Sequence, residues 1–177
     1  KIRNGMWRMT GTACCVTRGQ HQGGRCLLKR KKRYNTMTRK RIRENLYIML
    51  FQADFHEKDD RIGQADIYLE DLESADATKK AKAELRERFR NVLEHMDEID
   101  QKIEEKAKGW EVSRLAKADL TVMRLAVFEI LYDDEVPNSV AINEAVELAK
   151  RYGGDKSFGF VNGVLASVVK DLPAGQA

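Results

Sequence analysis

Only two prolines interrupt the 177 residues, at positions 137 and 173, and glycine is sparse after Gly24. A chain so poor in backbone breakers suits helices better than short strands and turns. No apolar run approaches the roughly 20 residues that a membrane span needs. The densest stretch, Leu125–Tyr132, is interrupted by Glu129. The N-terminal region also lacks the apolar stretch of about 7–15 residues that marks a secretory signal. Cysteine is confined to Cys14, Cys15 and Cys26. The body of the chain therefore forms no disulfide and holds no Cys/His nucleophile, which fits a reducing cytoplasm. Cys14, Cys15, His21 and Cys26 are metal-ligand types, but adjacent cysteines fit zinc spacings poorly. No metal and no other cofactor is expected.

Catalytic groups are equally scarce. The body has two histidines, His56 and His95, one near a loop and one late in an amphipathic helix. An ordinary surface or core role suits each better than catalysis. Gly153-Gly154 precedes a helix without the rest of a P-loop. Asp133-Asp134-Glu135 lacks the alternating ligands of a calcium loop, so a solvated loop is the better reading. Nothing demands an enzyme.

What the chain does have is segregated charge. Its net +4 conceals fourteen Lys and Arg with no Asp or Glu in residues 1–43, against 18 basic and 28 acidic side chains in the remainder. A basic arm on an acidic body points to nucleic acid, because neutralised phosphates release counterions. The plain alternative is a solubilising tail. Residues 1–36 lack apolar periodicity and end in the run Lys29-Arg30-Lys31-Lys32-Arg33. They read as a disordered upstream or expression-derived extension, with Met37 as the natural start. The alternative is a genuine basic extension that helps to hold RNA. Residues 37–172 form the expected domain, and 173–177 a tail.

From Thr38 onward the pattern is helical. Thr38 caps a first helix with Ile42, Leu46, Met49, Leu50 and Ala53 on one face. Arg39, Lys40, Arg41 and Arg43 crowd its start, where cations oppose the helix dipole, so a polyanion explains them better than local stability does. A second helix is expected over 64–73, with Ile67, Leu69 and Leu72 inward. A third runs over about 78–96 on Leu85, Phe89, Val92, Leu93 and Met96, then continues or restarts through Ile99 and Ile103. The helix over 119–132 has almost no polar face and should be the buried central one. After Pro137-Asn138, a sixth helix places Ile142, Ala145, Val146 and Ala149 together, with Gly153 as a left-handed stop. The last starts near Ser157 and uses Val161, Val164, Leu165 and Val168.

The block Val140-Ala141-Ile142-Asn143-Glu144-Ala145-Val146-Glu147-Leu148-Ala149-Lys150, with Tyr152, Ser157 and Phe160-Val161-Asn162-Gly163-Val164-Leu165, closely resembles the C-terminal signature of the NusB family. Trp110, Arg114-Leu115, Asp119, Met123-Arg124-Leu125-Ala126 and Glu129 resemble its central-helix motif. Arg41, Arg43, Glu44 and Leu50-Phe51-Gln52 are similar to its Arg-rich opening. The likeness covers about residues 38–171.

The resemblance implies an all-α fold of about seven helices in two small helical subdomains packed across one another. It implies binding to boxA-type single-stranded RNA of nascent ribosomal transcripts together with the small-subunit ribosomal protein NusE. Other Nus factors and RNA polymerase would be engaged indirectly, and a homodimer is left open. Asn143, Glu144, Arg124, Glu129 and Asn162 read as buried capping or pairing groups. The implied RNA residues are Arg39, Lys40, Arg41, Arg43 and Lys156, the last in the RNA-proximal loop 153–157. Phe51 stands where the family commonly has Tyr, and either stacks on a base or belongs to the core. Asp119 holds a position associated with the protein partner, with an N-cap as its competing role. Two other classes compete: a helical protein–protein adaptor without RNA binding, and a NusB-like domain of an RNA cytosine methyltransferase. The latter would need a cofactor-binding Gly-rich loop and a nucleophilic cysteine, and residues 37–172 offer neither.

Overall fold

Thr38 caps the first helix. Its extended backbone lets Oγ1 accept from the Arg41 N–H at 3.3 Å, satisfying one of the donors that a helix start leaves open. The computed structural model describes residues 37–73, 76–107 and 114–172. The extension 1–36 with its cysteines and His21, the tail 173–177, and Trp110 lie outside the described residues.

Seven helices follow one another: α1 (Arg39–Ala53), α2 (Arg61–Asp71), α3 (Lys79–Glu94), α4 (Met96–Lys106), α5 (Lys117–Tyr132), α6 (Asn138–Tyr152) and α7 (Ser157–Lys170). There is no strand among the described residues. Helices α1–α3 pack on one another, α4–α7 form a second group, and α1 packs across α5 to join them. This is the two-part helical arrangement expected. The third helical stretch restarts instead of continuing: His95 leaves helical geometry, and α4 begins at the next residue.

The apolar stripes go inward much as their spacing predicts. Leu85, Phe89, Val92, Ile99, Ile103, Val161 and Leu165 are almost fully enclosed. Helix α5 buries twelve of its sixteen residues, which makes it the central helix. Its polar side chains are paired. Arg124 grips Asp100 of α4 through two hydrogen bonds of 2.6 and 2.7 Å, and reaches Asp54 beyond α1 at 2.7 Å. Burial works against the charge of Arg124, but these carboxylates outweigh it and raise its pKa. Helix α2 departs from expectation: Ala65 and Leu69 face inward while Ile67 is 54% exposed. Only one narrow face of this short helix meets α1 and α3, and the i, i+4 pair occupies it. Asn143 and Asn162 are exposed, so the expectation that they pair in the interior is corrected.

Candidate nucleic-acid interface

The four cations at the start of α1 do not share one fate. Arg39 lies exposed beside Glu135 at 3.1 Å, and Arg41 approaches Asp76 at 3.4 Å. Lys40 is exposed on the wall of a groove of about 210 Å³ between α1 and α6. Lys150 and Arg151 from the end of α6 line the same groove, together with Glu44, Glu144 and Glu147. Arg43 is 7% exposed, and its Nε donates to both carboxylate oxygens of Glu129, at 2.7 and 2.9 Å. The expectation that Arg43 touches phosphate is therefore corrected. Residue 43 lies four past Arg39, on nearly the same side of the helix but about 6 Å further along its axis, where it meets Glu129 of α5. There it neutralises Glu129, one of the two carboxylates buried in the central helix. Burial raises the pKa of Glu129, and Arg43 opposes that rise. Of the loop anions expected to be solvated, Asp133 is instead engaged and accepts from Arg88 at 2.7 Å.

Next to the groove runs a series of rings. The Arg151 guanidinium lies 5.3 Å from the Tyr152 ring centroid, and Tyr152 stacks on Tyr47 at 4.5 Å. Tyr47 stacks on Phe51 at 6.1 Å, and Phe51 meets Phe55 edge-on at 5.3 Å. Residues 47, 51 and 55 follow one face of α1 and its exit because they recur every four positions. Tyr47 is buried and its pKa is pushed up to about 12, by burial first and then by Tyr152 and Asp119. The Tyr152 hydroxyl donates to Glu44 at 2.9 Å. Both phenols are therefore neutral at physiological pH. Phe51 is half-buried inside the series, and Phe55 is 65% exposed at its end. Sequence reasoning singled out Phe51 and missed Phe55, Lys150 and Arg151. The four-residue spacing of the rings was the available signal for Phe55.

The third component is the turn from α6 into α7. Lys156 is exposed immediately before α7, where the first free N–H groups carry the positive end of that helix. Asp119 lies beneath, only 8% exposed. Its Oδ2 accepts from the Ser157 hydroxyl at 2.8 Å, and Oγ of Ser157 accepts from the Gly154 N–H at 2.8 Å. Oδ1 of Asp119 is buried without a hydrogen bond. The expectation that Asp119 offers its carboxylate to a protein partner is corrected, because the loop covers it. Its competing role as N-cap also fails, since Ala116 holds that position and Asp119 sits inside the first turn of α5.

Gly153 is no left-handed stop either. Its φ of −89° and ψ of −177° are open to any residue. Glycine is required for space: a Cβ there would lie 2.6 Å from the Ala149 carbonyl oxygen, 2.6 Å from Ser157 Cβ and 2.7 Å from Asp119 Oδ1. Gly153→Ala is expected to cost about 1–3 kcal/mol, as overpacking does. A chemical-denaturation midpoint unchanged by the substitution would contradict this account of the turn.

A sequence model described as the NusB family matches residues 40–170. The transcription antitermination protein NusB of Lachnoclostridium phytofermentans is 50% identical over 133 residues, which cover 75% of this chain and 99% of that protein. Among solved structures, T. maritima NusB superposes with a TM-score of 0.69 at 36% identity, covering 77% of this chain and 93% of the other. A NusB solved with NusE and double-stranded RNA has a TM-score of 0.62 at 24% identity, covering 77% of this chain and all of that one, and shows the shared fold.

Proposed function

The chain belongs to the NusB family, and from that premise we propose that it is a cytoplasmic transcription antitermination factor that binds boxA-type single-stranded RNA together with NusE. Residues 37–172 carry the activity in this reading, and no catalytic step is involved. RNA polymerase is reached through the assembled Nus factors.

One observation in the structure supports the RNA reading above the others. Exposed cations line the groove of Lys40, Lys150 and Arg151, and a ring series runs from Tyr152, beside Arg151, to the exposed Phe55. Single strands need this pairing of groups, because phosphates attract the cations while unpaired bases stack on rings. A purely protein-binding adaptor has no need of it. The paired carboxylates of Glu44 and Glu147 hold the cations in place: Arg151 lies 2.5 Å from Glu44, and Lys150 lies 2.8 Å from Glu147. Partners richer in negative charge can then compete for them.

The test is a calorimetric titration with a boxA RNA and a scrambled control, each with and without NusE. Tighter binding to boxA is expected, strengthened by NusE. RNA must then strengthen NusE binding by the same factor, because coupling between two sites is reciprocal. Binding of NusE with no heat from either RNA would favour the protein-only adaptor instead.

A further inference from the structure

Helix α6 is a wall between two grooves. Glu144 and Glu147 face the cation-lined groove with α1, whereas Ile142 lies two residues before Glu144, about 200° away around the helix. On that far side Ile142 joins Ile130 and Leu131 of α5, Val136 of the connecting loop and Val169 of α7 around a groove of about 560 Å³. Leu131, Ile142 and Val169 remain half-buried there, so apolar stripes of three helices converge without closing. Asp133 lines this groove and also a second one, of about 290 Å³, between α3 and α5. The exposed ring of the second groove is Tyr132. It is held by stacking on His95 at 4.0 Å and by the 2.5 Å hydrogen bond that its hydroxyl donates to Glu98.

We propose that this surface around the end of α5 is a docking site for a protein segment in which aliphatic side chains stand next to Lys or Arg. The apolar groove calls for the aliphatic part, because burial of apolar surface drives most protein association. The charges call for the cations. Glu84, Glu87, Asp133 and Asp134 line the two grooves against a single cation, Arg88, among the described residues. Arg88 is already taken up by Asp133 at 2.7 Å and Glu84 at 3.4 Å. Helix α5 also has no basic residue in its last turn, unlike α4, α6 and α7, so the negative end of its dipole adds to the field. Such a surface repels a nucleic-acid strand and attracts a basic protein segment. The Tyr132 ring, fixed before any partner arrives, offers a cation its face at little entropic cost. Because α6 separates this site from the groove of Lys40, Lys150 and Arg151, RNA is left free to bind at the same time. The site goes beyond the RNA reading and does not depend on it.

The test titrates two short synthetic peptides into the full chain, isotope-labelled so that its amide signals can be followed by NMR. One peptide combines Leu, Ile and Lys, and its counterpart carries Glu in place of every Lys. The Lys peptide is expected to bind and to move the amide signals of Leu131, Asp134 and Ile142. The Glu peptide should bind at least about tenfold more weakly, since like charges oppose each other across an interface. Asp134→Lys, at an exposed position, should weaken the Lys peptide by a similar factor. Ile142→Ser should weaken it roughly fivefold or more, as truncating an apolar anchor does. Thermal melts establish that each variant is folded, and Asp134→Lys decides the matter if Ile142→Ser is not. The boxA RNA, titrated alone, should move Lys40 and Lys150 instead. Equal affinity for the two peptides, no loss in Asp134→Lys, or RNA moving the signals around Asp134 would overturn the proposal. A chain that binds the Lys peptide here but binds no RNA would overturn the RNA reading and leave this site standing.

Discussion

Arg43→Ala is expected to destabilise the protein by about 3–5 kcal/mol, since removing one partner of a buried ion pair strands the other. Were Arg43 an exposed phosphate ligand crowding the start of a helix, the same change would leave stability level or slightly raised. The two accounts therefore differ in sign as well as size, and a urea titration distinguishes them. The stranded group is Glu129, enclosed by the central helix and its neighbours. Its folded pKa already lies above the ordinary carboxylate value because of burial, despite Arg43. A raised carboxylate pKa contributes stability below the unfolded value, and that contribution is lost as pH rises through the folded value. Losing Arg43 raises the folded pKa further. The penalty of Arg43→Ala should thus be largest near neutral pH and shrink toward about pH 4, where Glu129 is protonated in both states. Arg43→Met combined with Glu129→Leu removes both charges and should recover most of the loss. A single Arg43→Ala variant as stable as the parent would mean that the buried pair is not what holds α1 on α5.

The second large effect is on RNA. Converting Lys40, Lys150 and Lys156 together to Ala should flatten the slope of log K against log salt by up to about 2, at roughly 0.7 per phosphate on a single strand. Stability should barely move. Lys40 opposes the dipole of α1 while Lys150 favours that of α6, so their removal nearly cancels. The loss should be similar for boxA and scrambled RNA, because phosphate contacts carry no sequence information of their own. Phe55→Ala serves as the control of opposite type: it should cost about 1–3 kcal/mol of binding without changing the slope. A folded triple variant that keeps both its affinity and its salt slope would remove the α1–α6 groove and the α7 start from the RNA surface.

The expected site residues were legible to different degrees. Lys40 and Lys156 stand exposed, and Arg39 and Arg41 do so beside carboxylates of loops. Phe51 proved half-buried, and the accessible ring is the next on the same face, Phe55. Arg43 and Asp119 were misread for one reason. A charged side chain in sequence looks like surface until its partner is known, and the partners lie 86 and 38 residues away.

What the sequence determined by itself was everything carried by local repetition. Apolar residues at three- and four-residue spacing marked the helices, their near-continuity marked α5 as central, and Thr38 marked the start of α1, because periodicity and capping act within a turn or two of chain. The tertiary structure alone decided which cations are buried and which exposed, and that Gly153 is demanded by close approach instead of by φ. It alone decided that Asp119 supports a turn from beneath. Each of these depends on what distant helices bring to within about 3 Å, and at that range a single hydrogen bond or ion pair outweighs any local preference of the residue.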